Sequence, residues 1–300
     1  MKKILVTGGA GFIGSNLVDR LVELKYNVIV LDNFVNGSLK NLKKSQNKIK
    51  IVKINVSKLN DHLKKYFYKV DVVIHLAALV NMQQSIIDPE YYFKNNVMGT
   101  FNVLNAAKDS KVKKFIYTAS ASCYGTPNKF PTKENEKIDI RNPYALTKYL
   151  GEELVLHWCK IYKMPSVSLR LFNVYGSRSK ISGSYNSVFS TFLSQKFSGK
   201  ALTIVGDGNQ TRDFIYVSDV VDAIILMLKK KNNFGQVYNV GNGKEIKINK
   251  IAKLFNKKVK NIKKRPGESL RSLADITKIK KFLKWKPRVS LESGVAKILK

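Results

Sequence analysis

The chain has 300 residues, 44% hydrophobic, enough to bury a large core in one α/β unit or two joined lobes, and no apolar run approaches the roughly 20 residues that cross a bilayer. Its formal charge of +33 comes from 54 basic residues of which only eight are arginine, and the densest run, 257–265, carries no interleaved aromatics, so a specific nucleic-acid surface is not expected. Two distant cysteines, Cys123 and Cys159, and an opening strand that leaves no room for a signal peptide point to a reducing, cytoplasmic setting.

The first apolar run, 1–7, reads as a buried strand. It leads into Gly8-Gly9-Ala10-Gly11-Phe12-Ile13-Gly14, and an amphipathic stretch follows over 15–24. Gly9, Gly11 and Gly14 satisfy G-x-G-x-x-G. A second strand, 27–31, ends at Asp32, eighteen residues past the last glycine. The physics of that order is specific. Glycines let the backbone turn tightly and approach a pyrophosphate, while the helix N-terminus offers free N–H groups and the positive end of its dipole. A carboxylate at the tip of the second strand accepts from adenosine ribose hydroxyls and repels a 2′-phosphate, which favours NAD over NADP.

Further β-rich runs follow at 49–54, 70–75, 114–118 and 167–172, with helix-like segments between most of them. This alternation predicts the α/β class, a Rossmann-type doubly wound parallel sheet covered on both faces. Ligands of such sheets bind outside the carboxyl ends of the strands. Gly8, Asp32, Ala77 and Ser120 each follow a strand end, so four placements converge on one edge. Beyond Ser120, Tyr144-Ala-Leu-Thr-Lys148 sets a phenol and an ammonium on one helix face. A phenol, with a pKa of about 10, is roughly three units too weak an acid to serve as a base at neutral pH, but a nearby lysine charge favours the phenolate and a serine hydroxyl can share the proton. His75 is read as ordering a strand end. His62 and His157 form no metal-like cluster with acids, so no metal is expected. From Asn173 the character changes, and segments rich in Gly, Ser and Asn, such as 176–185 and 206–209, alternate with short helix candidates. Two lobes are predicted: a dinucleotide-binding domain over 1–172 that also receives part of 213–240, and a smaller, mainly substrate-binding C-terminal lobe over 173–300.

Ten motifs carry a family resemblance along nearly the whole chain. They include Thr7-Gly-Gly-Ala-Gly-Phe-Ile-Gly14, His75-Leu-Ala-Ala78, Asn96-Val-Met-Gly-Thr100, Ser120-Ala-Ser-Cys-Tyr-Gly125, Pro143-Tyr-Ala-Leu-Thr-Lys148, Arg212-Asp-Phe214 and Arg265-Pro-Gly-Glu268. The chain resembles the extended short-chain dehydrogenase/reductase family, and within it the NAD-dependent nucleotide-sugar 4-epimerases. The resemblance implies that Gly8, Gly11, Phe12 and Ile13 cradle the NAD pyrophosphate, that Asp32, Asn33 and Asn36 hold the adenosine ribose, and that Asn55 and Val56 lie against the adenine. Position 55 is usually Asp in the family; Asn still offers an acceptor to the adenine amino group. Leu76, Ala77, Ala78 and Asn96 are implied on the cofactor side, with Lys148 reaching the nicotinamide ribose. On the substrate side the implied contacts are Ser120, Ser122, Tyr144, Asn173, Arg212, Arg265, Glu268 and Ser272. Two arginines suit a diphosphate, because guanidinium forks pair with phosphate oxygens. A salt bridge to neighbouring Asp213 is the bland alternative for Arg212.

The resemblance also narrows the reaction. Family dehydratases carry an Asp-Glu pair just after the catalytic Ser or Thr, and several decarboxylases carry a Glu; here Ala121 and Ser122 stand there, and neither can serve an elimination. The expectation is a UDP-sugar 4-epimerase with Ser120, Tyr144 and Lys148 as its catalytic residues, working by transient oxidation at C4. Ser272 stands where glucose-only epimerases tend to carry Tyr, which leaves room for an N-acetyl group, whereas Asn81 and Gln84 replace the Ser and Arg frequent in N-acetyl-sugar epimerases. UDP-glucose, UDP-GlcNAc and their uronic acids all remain open. A nucleotide-sugar reductase or dehydrogenase and a non-catalytic NAD-binding regulator are the competing classes. Family members often dimerise through two helices per subunit, and 91–108 and 144–162 fit that role in a homodimer.

Overall fold

The computed structural model describes residues 2–58, 61–179, 187–231, 234–263 and 270–299. Its strands are β1 (Lys3–Thr7), β2 (Asn27–Asp32), β3 (Lys50–Lys53), β4 (Val72–His75), β5 (Lys114–Ser120), β6 (Ser166–Leu171), β7 (Asn173–Tyr175), β8 (Leu202–Val205), β9 (Thr211–Tyr216), β10 (Gln236–Val240), β11 (Glu245–Lys247) and β12 (Val259–Ile262). Seven of them form one sheet in the order β10-β6-β5-β4-β1-β2-β3, every pair parallel. The order reverses at β1, between β2 and β4, so a crevice opens there at the carboxyl ends of the strands.

Alternation along the strands supplies two cores. Ile4, Val6, Val28 and Val30 pack on helices Phe12–Glu23 and Val217–Lys229, while Leu5, Ile29, Val73 and Phe115 face helices Gly99–Asp109 and Pro143–Tyr162. Successive strand side chains point to opposite faces, and burial on both faces is why these runs read as continuously apolar. The second lobe has its own core, in which Tyr175 stacks on Phe189 with ring centroids 4.2 Å apart. It carries the three-stranded sheet β11-β9-β7 and the β12-β8 pair. The chain returns from this lobe to add β10 beside β6.

The first helix starts at Phe12, earlier than the 15–24 stretch suggested. Gly11 is its N-cap in extended conformation, so Gly14 lies inside the helix. There a Cβ would sit 2.2 Å from Gly8 O, and only glycine lets the first turn close on the preceding loop. Helix Pro143–Tyr162 begins sharply: Asn142 Oδ1 accepts from Ala145 N, and proline occupies the first turn. That cap presents Tyr144 and Lys148 at the crevice. Among the described residues no helix is long and apolar enough to cross a membrane.

Candidate active site

A cleft of about 610 Å³ follows the carboxyl edge of the sheet and continues under the second lobe. Its floor at one end is the glycine turn. Gly8 adopts φ +69°, and a Cβ there would lie 2.7 Å from Ala77 N, so the turn nests against the segment after β4. Asp32 holds the turn from the other side. Its Oδ2 accepts from Ala10 N at 2.9 Å and its Oδ1 from Phe34 N at 2.8 Å. Burial raises the Asp32 pKa and these two bonds oppose it. Each carboxylate oxygen keeps acceptor capacity toward the cleft.

Phe12, Ile13, Asn33, Asn36, Asn55 and Val56 line the same end. Asn55 Oδ1 accepts from Ser57 N at 2.9 Å, and Asn102 Nδ2 donates to Val56 O at 3.0 Å, so this wall is built on local turns braced by a neighbouring helix. Leu76, Ala77 and Ala78 form the opposite wall.

Asn96 is placed differently from the expectation. It is buried behind the wall and does not line the cleft. Its Oδ1 accepts from Leu79 N at 2.7 Å, and its Nδ2 donates to Leu79 O at 3.0 Å and Thr147 Oγ1 at 2.9 Å. The segment Phe93–Met98 is a π-helical turn, which places this amide inward as a clamp on the wall's backbone. His75 is likewise structural. Its Nδ1 lies 2.6 Å from Thr7 Oγ1 and its Nε2 3.0 Å from Thr100 Oγ1, and burial lowers its pKa to about 3.

Ser120, Tyr144 and Lys148 line the middle of the cleft. Ser120 ends β5, and its Oγ accepts from Ser122 N at 3.2 Å and Ser122 Oγ at 2.9 Å. With two bonds accepted, its own proton remains available to donate. Tyr144 is half-buried and its backbone N–H donates to Ser85 Oγ at 3.0 Å. Lys148 is buried, and burial pulls its pKa down to about 7 against the opposing pull of Glu152 one turn on.

Asn173, Arg212 and Ser272 line the far end, under the second lobe. Asn173 Nδ2 donates to Asp213 O at 3.1 Å, and Arg212 Nη1 to Thr211 O at 2.9 Å. Arg212 is not paired with Asp213. That carboxylate turns inward and accepts from Asn242 N, Gly243 N and Ala274 N, and burial raises its pKa to about 6. Arg265 and Glu268 lie outside the described residues.

Three further cleft residues escaped sequence reasoning: Arg141, Arg178 and Arg271. Arg271 makes a two-pronged pair with Glu245 at 2.7 Å on each prong and stacks over Phe130. Arg178 Nη2 donates to Asp19 Oδ2 at 2.6 Å, tying the second lobe's approach segment to the first helix. A usable signal was present. In a chain whose cations are nearly all lysine, four of the seven arginines among the described residues line one cleft, as expected where a planar, forked donor matters.

Residues 4–241 match the family model for the NAD dependent epimerase/dehydratase family. The chain belongs to this family. A Methanocaldococcus jannaschii protein provisionally named a UDP-glucose 4-epimerase is 38% identical over 303 residues, covering 99% of this chain and 97% of its own. The structure of a Thermotoga maritima UDP-glucose 4-epimerase with UDP-glucose superposes with a TM-score of 0.92 at 35% identity, covering 98% of this chain and 96% of the other. A Methanobrevibacter ruminantium UDP-N-acetylglucosamine 4-epimerase in complex with UDP-N-acetylmuramic acid superposes with a TM-score of 0.91 at 34% identity, covering 98% and 97%. NAD is the cofactor of this epimerase/dehydratase chain, and its residues fit the group: Gly8, Gly11 and Gly14 let the turn close tightly at the start of the first helix, that helix has no acid in its first turn, and Asp32 lines the cleft.

Proposed function

We propose that the protein is an NAD-dependent UDP-sugar 4-epimerase acting on a substrate of the UDP-glucose or UDP-GlcNAc type. One observation carries the choice of reaction. Among the described residues that line the cleft, Asp32 is the only carboxylate, and it stands at the dinucleotide end. Dehydration needs an acid and a base beside C5 and C6 of the sugar, and beside Ser120 the chain offers Ala121 and the Ser122 hydroxyl.

Bound NAD supplies a reversible hydride acceptor at the sugar's C4. The chain's own residues do the rest. Tyr144, as phenolate, takes the proton from the 4-hydroxyl, with Ser120 donating into the same hydrogen-bond chain. Lys148 favours the phenolate by its charge and reaches the nicotinamide ribose. Arg212 and Asn173 hold the diphosphate, and Arg265 and Glu268 join them in this reading. Held there, the 4-keto sugar turns about its link to the diphosphate and presents its other face for reduction. Gly8, Gly11 and Asp32 retain the cofactor through the cycle.

Ser272 supports a pocket that admits an N-acetyl group, because a serine leaves space where a tyrosine would not. A uronic-acid substrate is the second reading. Arg141 and Arg271 line the cleft, each paired with a carboxylate, Asp139 and Glu245, and a C6 carboxylate would exchange with one of these partners. We also read the molecule as a cytoplasmic homodimer. Cys123 and Cys159 are free thiols, and Tyr91, Phe93, Met98, Leu146 and Ile161 leave apolar surface on helical segments that pack together.

Incubation with UDP-glucose, UDP-GlcNAc and UDP-glucuronic acid, with product analysis by NMR, tests both reaction and sugar. Conversion to the 4-epimer with no added NADH, and NAD released on denaturation, are expected. Products of elimination, decarboxylation or net reduction refute the epimerase reading. Ser272→Tyr is expected to spare UDP-glucose and abolish UDP-GlcNAc turnover.

A further inference from the structure

The catalytic helix does not rest on a purely apolar sheet. Parallel pairing places Thr7 beside His75, His75 beside Tyr117, and Tyr117 beside Ser168, in one row across β1, β4, β5 and β6. All four are buried. His75 is held between two threonine hydroxyls and stacks on Tyr117, with ring centroids 5.7 Å apart and planes 27° from parallel. Tyr117 OH donates to Lys148 O at 3.2 Å, fastening the ring to the helix at the residue that matters most. Three residues on, Gly151 leaves the space this hydroxyl needs, since a Cβ there would lie 2.3 Å from it. The Lys148 ammonium lies over the Tyr117 ring, 4.3 Å from its centroid.

We propose that Tyr117 is a positioning residue for the reaction: its ring face seats the Lys148 ammonium and keeps it charged inside the protein. The proposal rests on the epimerase reading only for what Lys148 then does. Three facts lead to it. Lys148 is 4% exposed, so its charge has lost most of its water, and a buried lysine without compensation gives up its proton. Among the described residues Nζ makes no hydrogen bond or ion pair; Glu152, one turn on, favours its charge without touching it, and the face of the Tyr117 ring lies directly against it. A ring face also stabilises a cation without using its N–H donors, so all three stay available to the cleft that Lys148 lines.

The other groups around Lys148 do not supply this contact. On the same helix, Tyr144 is the phenol whose ionisation Lys148 itself favours, and Glu152 is committed to Arg170 and Ser168. His75, from β4, is neutral at working pH because burial holds its pKa near 3. Cys123, on the turn after β5, is kept protonated with its pKa raised to about 12; on the 82–109 helices Asp88, Glu90, Lys94 and Asp109 are exposed, Lys108 pairs with Asp109, and the buried Tyr92 OH accepts from Asn81 N.

The test changes the ring's electrostatics and leaves its shape. Tyr117→Phe serves as reference, and Tyr117→4-fluorophenylalanine and Tyr117→3,4,5-trifluorophenylalanine progressively empty the ring face of negative potential. Two readouts are taken on the purified full-length protein: the pH midpoint of Lys148 acetylation by acetic anhydride, followed by peptide mass spectrometry, and the high-pH limb of kcat with UDP-glucose. Both are expected to fall stepwise, by about one pH unit across the series. A common midpoint in all three variants overturns the proposal, because a ring that only fills space would not respond to fluorine. If UDP-glucose is not converted, the epimerase reading fails while the acetylation midpoint still decides the role of Tyr117.

Discussion

Glu152→Gln probes the buried ion pair beneath the catalytic helix. Glu152 and Arg170 have side chains 1% and 6% exposed. Glu152 Oε1 accepts from Arg170 Nη2 at 2.5 Å and Nε at 3.1 Å, and Oε2 accepts from Ser168 Oγ at 2.8 Å. Arg170 Nη1 also donates to Tyr124 OH at 2.8 Å and Glu134 O at 3.0 Å. The amide keeps the shape and removes the countercharge, leaving a guanidinium that cannot deprotonate in a desolvated site, at a cost of about 3–5 kcal/mol. With an unfolding entropy of about 2.1 cal/mol/K per residue, this is a fall in Tm of roughly 5–8 °C for a chain of 300 residues. Scanning calorimetry at constant protein and NAD concentration reads it. Glu152→Met with Arg170→Met should recover most of the loss, because an apolar pair removes both desolvation costs. A Tm for Glu152→Gln within about 1 °C of the parent, or a double variant no more stable than the single, would refute this account of the pair.

Tyr144→Phe is expected to lower turnover by at least about 10²–10⁴-fold, with the NAD content per chain unchanged; near-normal interconversion of UDP-sugars would remove Tyr144 from the proton path. Gly151→Ala forces a methyl onto Tyr117 OH and should cost about 1–3 kcal/mol, which chemical denaturation can read. In a Tyr117→Phe background most of that cost should vanish, and purely additive losses would mean that the two sites are not in contact. The folded-state pKa of His75, about 3, lies below its unfolded value, so the unfolded chain binds the extra proton between pH 6.5 and 3. Stability from this group is therefore complete above pH 6.5 and drains as pH falls through that window, by up to about 4–5 kcal/mol. His75→Gln should flatten this part of the stability profile, and an unchanged slope would assign the acid sensitivity to other groups.

Much of the candidate site was legible because its pieces are local. The glycine turn, its helix and Asp32 occupy one stretch of chain, and each requirement concerns only a few neighbouring backbone angles. The Tyr144–Lys148 pair needs nothing beyond one helix with a good cap at Asn142. Asn96 shows what spacing cannot give, because its place behind the wall is set by contacts with Leu79 and Thr147. It sits on the π-helical turn Phe93–Met98, and its amide donates to Leu79 O across the fold. Arg141, Arg178 and Arg271 come from segments far apart in the chain, and no spacing joins them.

The amino-acid sequence by itself determined the parallel sheet, the dinucleotide turn and the cofactor NAD, because alternation and glycine placement act over short range, and helical spacing put Tyr144 and Lys148 on one face. Tertiary structure alone decided what surrounds Lys148. The row from Thr7 through His75 and Tyr117 to Ser168 exists only once four strands pair in one register. That register depends on the burial of both sheet faces together, a property of the whole chain that no local pattern contains.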